Sequence, residues 1–125
     1  MCLGCYILPA FHIAHGSGNR TIVVGALNAA GTQKASYSNH AGVYKDYFIT
    51  APVDGGWCSS GTSCSAPVVS GAAALIMDRY NTNAADTRDI LFETADDIGA
   101  PGVDSVFGHG RLNARRALSP LGALR

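Results

Sequence analysis

Ser63 is the residue of this 125-residue chain best suited to covalent chemistry. It follows Gly61-Thr62 and leads through Cys64-Ser65-Ala66-Pro67 into a long run of small apolar residues, so it stands at the start of a predicted helix. A hydroxyl there lies at the positive end of the helix dipole. Acyl transfer by serine forms a tetrahedral oxyanion that must meet fixed N–H donors, and the unsatisfied N–H groups of a helix N-terminus are such donors. The backbone N–H of Ser63 is the natural candidate. Read alone, a Gly-Thr-Ser at a helix start is more often only a cap, so the neighbouring residues must decide.

Other groups with chemical potential read more plainly. Cys2 and Cys5 form a C-x-x-C, but no second pair or His cluster completes a zinc site, and no strand precedes it to support a redox motif. Cys58 and Cys64 could be bridged in an exported protein, whereas Cys64 reads first as a small buried hydrophobe. Asp96, Asp97 and Asp104 stand beside Gly and Pro, where carboxylates make turns; no metal and no cofactor is expected. Arg111, Arg115 and Arg116 read as the solvated side of a short helix.

The elements that must position Ser63 follow from pattern. Residues 1–20 lack periodicity and hold Gly4, Pro9, Gly16, Gly18 and Asn19, so they read as an irregular segment. Thr21 to Leu27 is β-branched and apolar, the pattern of a parallel strand covered on both faces. Asn28 to Gly31 is a turn, Lys34 to Asn39 a short extended piece, and Tyr47 to Ala51 a second strand closed by Pro52. The helix from about Ser63 to Tyr80 is apolar on every side and is expected to be enclosed by the protein; Pro67 fits only its first turn. A second helix is expected over 84–94, capped by Asn83 or Thr82, with Thr87, Ile90, Leu91, Thr94 and Ala95 inward and Arg88, Asp89 and Glu93 outward. A short one should run from Asn113 to Leu118.

Composition bounds the partners. Nine basic and nine acidic residues leave no net charge, which argues against nucleic acid. The apolar run from Val68 to Met77 is far short of the roughly 20 residues that span a bilayer, and the N-terminal residues lack the pattern of an export signal. Only 14% of residues are charged, against about a quarter in a free-standing domain, as if part of the polar shell were missing.

The segment Gly61-Thr62-Ser63-Cys64-Ser65-Ala66-Pro67-Val68-Val69-Ser70-Gly71 resembles the nucleophile motif of the subtilisin-like serine proteases, with Cys64 where that family most often has Met. Four further segments are similar to the family in the right order. They are Ile22 to Leu27, Ala35-Ser36-Tyr37-Ser38-Asn39, Ile49-Thr50-Ala51-Pro52, and Phe107-Gly108-His109-Gly110-Arg111-Leu112-Asn113. The resemblance implies an α/β fold, the C-terminal portion of a subtilase three-layer sandwich with a mostly parallel sheet and helices on both faces. It divides the chain into the irregular segment 1–20, a partial catalytic domain over 21–118 and a tail over 119–125.

It also implies a serine endopeptidase acting on polypeptides, in the cell envelope or secreted, with Ser63 as the catalytic nucleophile. A His would deprotonate its hydroxyl, an Asp would orient the His, and an Asn amide would complete the oxyanion hole. The family's order places the His about 150 residues before the Ser. His15 precedes Ser63 by only 48 positions and is followed by Gly18 and Asn19, which oppose a helix; it is not read as the base, and Asn19 is not read as the oxyanion residue. His109 takes a place usually held by Tyr, so packing is its expected role. The expected state is an incomplete fragment, inactive alone and prone to associate, whose missing N-terminal half lies upstream or comes in trans. The alternative is an inactive remnant serving as a binding module.

Overall fold

The computed structural model describes residues 21–36, 38–52 and 64–119. Two strands, β1 (Val23–Leu27) and β2 (Phe48–Pro52), pair in parallel with Val23 opposite Phe48 and Leu27 opposite Pro52. All five β1 residues are buried, as their unbroken apolar pattern requires. Single bridges widen the pair on both sides. Lys34 lies antiparallel to Leu27, Arg111 parallel to Thr50, and Asp96 antiparallel to Arg111. Because Thr50 pairs with Gly25 on one edge and Arg111 on the other, β2 sits in the middle of this narrow sheet.

Three α-helices follow: α1 (Ser65–Tyr80), α2 (Ala84–Glu93) and α3 (Ala114–Ala117). Val24, Ile49 and Ala51 of the sheet join Val69, Ala72, Ile76, Ile90, Leu91 and Ala117 in one core, which places all three helices on one face. The other face is covered around Val23 and Phe48 by Ala41 and by Tyr47 of a 3-10 helix over Gly42–Tyr47. This is the partial α/β arrangement expected.

Pro67 is the third residue of α1, where its missing N–H costs no intrahelical bond. The helix closes at Asn81, which adopts the left-handed conformation (φ 52°). Asn83 caps α2 by accepting from the Asp86 N–H at 2.8 Å, and all five residues expected inward on that helix are buried, joined by Phe92. Asn113 caps α3 in the same way from Arg116 at 2.9 Å.

Two expectations are corrected. Among the described residues of the stretch from Lys34 to Asn39 only Lys34 forms a bridge, and Ser38 turns inward to accept from the Ala26 N–H at 2.9 Å. More consequentially, α1 is not enclosed. Ser65, Ala66, Val69, Ala72 and Ile76 form a buried stripe, while Leu75 is 56% and Met77 42% exposed. Among the described residues the sheet and α2 pack on one side of the helix, while Leu75 and Met77 stand exposed beside Asp78 and Arg79.

Candidate functional site

The start of α1 is fixed at two consecutive residues. Cys64 and Ser65 are both fully buried, and the Ser65 hydroxyl donates to the Ala51 carbonyl at 2.9 Å, tying the first turn of α1 to β2 near its C-terminal end. Cys64 packs with Ala26 and Ala35 and is disulfide-bonded. The expectation of a small buried hydrophobe is therefore half right: the burial is present, but the sulfur is bridged. Its partner lies outside the described residues, as do Cys2, Cys5 and Cys58. Ser63 also lies outside them, together with His12, His15 and Asn19. The first-turn N–H groups of α1 have no intrahelical acceptor.

The structure brings no histidine among the described residues to this point. His109 stacks on Phe92 with ring centroids 3.9 Å apart and planes 6° from parallel, and one ring nitrogen meets the Asp46 carbonyl at 3.0 Å, the packing role expected of it. The second described histidine, His40, is exposed.

The carboxylates act on local structure. Asp97 accepts from the Gly102 N–H at 2.7 Å, and Asp104 from the N–H groups of Val106 and Phe107 at 2.8 and 2.7 Å, as turn-forming residues do. Asp96 does more. Its Oδ2 accepts from Arg111 Nη2 at 2.9 Å and its Oδ1 from Asn113 Nδ2 at 2.9 Å, while Arg111 Nη1 reaches the Gly31 carbonyl at 2.9 Å. Arg111 thus belongs to the strand-like segment beside β2 and not to the solvated side of a helix; Arg115 and Arg116 alone lie on α3. Sequence reading missed this cluster because partners 15 residues apart carry no local signature.

Burial pushes the Asp96 carboxyl up, but the hydrogen bonds from Asn113 and Arg111 and the charges of Arg111 and Arg116 outweigh it and hold it below its ordinary 3.8. A depressed folded-state value stabilises the fold above the unfolded value and loses that contribution as pH falls through the folded one. Asp96→Asn is expected to cost about 1–3 kcal/mol at pH 6. The difference from the parent should shrink below pH 3.8, checked by urea midpoints at pH 6 and in acid.

Among the described residues no helix is long and apolar enough to cross a membrane. A family model described as the subtilase family matches residues 13–110. The chain is 40% identical over 99 residues to the neisserial autotransporter lipoprotein NalP of Neisseria meningitidis serogroup B, a match covering 71% of this chain and 9% of that protein. It is 38% identical over 105 residues to a subtilisin of Bacillus pumilus, covering 78% and 36%. Among solved structures, the patellamide maturation protease PatA superposes with a TM-score of 0.60 at 30% identity, covering 82% of this chain and 43% of that one. The chain therefore spans less than half the length of each of these relatives.

Proposed function

This chain belongs to the subtilase family, and on that premise we propose that it carries the nucleophile of a serine endopeptidase. The observation that carries the reading is that Ser63 and its motif fall inside the matched region, two residues before α1 begins. In this reading the Ser63 hydroxyl attacks the scissile carbonyl of a polypeptide, a His takes the hydroxyl proton, and the Ser63 N–H donates to the developing oxyanion. The His, its Asp and the oxyanion Asn come from the longer catalytic domain, of which residues 21–118 are the C-terminal part. The exposure of Leu75 and Met77 on α1 supports a covering portion that belongs to the same domain. The bridged Cys64 and the autotransporter relative support an oxidising, cell-envelope or extracellular setting.

The exposed side of α1 also favours a second reading, an inactive remnant that binds a partner through that face. Covalent labelling with a fluorophosphonate separates the two. The 125-residue chain alone should label negligibly, because a nucleophile without base and orienter is little activated. The same chain joined to the preceding part of its catalytic domain should label stoichiometrically at Ser63, and Ser63→Ala should abolish the adduct. A joined protein that stays unlabelled favours the binding module.

A further inference from the structure

We propose that the turn over residues 28–33 is a lid hinged at the end of β1 and latched shut across the C-terminal end of β2 by the Arg111 side chain. The turn is braced from within. Asn28 Oδ1 accepts from the N–H groups of Thr32 and Gln33 at 2.9 and 3.3 Å, the Asn28 N–H donates to the Gln33 carbonyl at 2.8 Å, and the Gly31 N–H to the Asn28 carbonyl at 2.9 Å. Its two ends meet at the bridge between Leu27 and Lys34, where the Lys34 ammonium is itself fixed by donating to the carbonyls of Ala35 and Ser38 at 2.9 and 2.7 Å. These bonds make the turn one body on a narrow base, the form a lid requires.

Among the described residues the turn is held beyond that base at one point. Gly31 is its one buried residue, and a Cβ built there would lie 3.3 Å from Arg111 Cδ and 3.9 Å from Pro52 Cβ. Arg111 lies on the flank of β2 opposite β1, so its guanidinium reaches back across the end of β2 to donate to the Gly31 carbonyl at 2.9 Å. The Arg111 backbone cannot follow the turn, because its N–H and C=O are both bonded to Asp96, whose carboxylate also pairs with the guanidinium. One hydrogen bond of modest net strength between two rigid bodies is a latch that opens thermally. Open α/β sheets take their ligands in the crevice at the C-terminal ends of the strands, so the turn stands at the mouth of that crevice.

The test is 15N relaxation and amide hydrogen exchange in the 125-residue chain, with β1 as the internal reference. Order parameters over residues 29–33 should match those of β1 in the parent, about 0.85, and fall below about 0.6 in Arg111→Met. Exchange at Thr32 and Gln33 should be unchanged, because their acceptor Asn28 moves with them. Should Arg111→Met fail to fold because Asp96 loses its cation, Asp96→Asn combined with Arg111→Met removes that charge and gives the same readout. A turn as ordered as β1 without Arg111 overturns the latch, and so does a turn already mobile in the parent. Mobility accompanied by faster exchange at Thr32 and Gln33 overturns the lid, since the turn would then be melting and not swinging. The outcome is independent of the reading of Ser63 as nucleophile.

Discussion

Gly110→Ala is expected to leave little folded protein. Gly110 has φ +112°, a conformation L side chains rarely adopt, and an added Cβ would overlap the Asp96 carbonyl oxygen. Neither obstacle can yield cheaply. The Gly110 carbonyl accepts from both the N–H and the hydroxyl of Thr50, at 2.8 and 2.7 Å, while Asp96 is bonded in both directions to Arg111. Backbone strain added to a clash with backbone should cost about 4 kcal/mol or more, comparable to the whole stability of a small domain. Gly42→Ala is the control: its φ of +55° carries strain, yet nothing lies within 4 Å of the new Cβ, so about 1–2 kcal/mol is expected. Urea unfolding followed by circular dichroism should show a shifted midpoint for Gly42→Ala and no cooperative transition for Gly110→Ala.

The second large effect distinguishes the two sides of α1. Ile76 is fully buried in the core with Val24, Ile49 and Leu91, and Ile76→Ala should cost about 2–5 kcal/mol through lost burial and the cavity left behind. Its neighbours in sequence point the other way. Leu75→Lys and Met77→Lys, at positions 56% and 42% exposed, should change unfolding by less than about 1 kcal/mol. They should also reduce self-association of the isolated chain, measured by sedimentation velocity. An enclosed α1, as its composition alone suggests, would make all three substitutions severely destabilising.

That contrast marks where the sequence is informative. β1 and β2 are legible because five and four consecutive buried residues leave nearly continuous apolar runs, and α2 because Asn83 and the inward positions from Thr87 to Ala95 follow helical spacing. The start of α1 is legible from Pro67, which tolerates only the first turn. Which side of α1 is covered is not, since apolar composition records what a helix can bury against and not which partners the chain supplies. The bridging of Cys64 depends on two Cα atoms coming within reach, and the Ser65 to Ala51 bond on where a strand end meets a helix. Both are tertiary facts. At the start of α1, the residue types are legible, and the tertiary partners of Cys64 and Ser65 are not.

The segment that brings Gly110 and Leu112 beside Thr50 carries a consequence for synthesis. Thr50 bonds to Gly110 across 60 residues of chain, and Leu112 and His109 complete the same side of β2. Closing a loop of that length costs about 3–4 kcal/mol of chain entropy before any contact returns it. As the polypeptide leaves the ribosome, β2 therefore waits with one flank of N–H and C=O groups unsatisfied until residues 109–112 emerge. During that interval the nascent chain presents a strand ready to pair with another molecule, so chaperone engagement should concentrate on Phe48–Pro52.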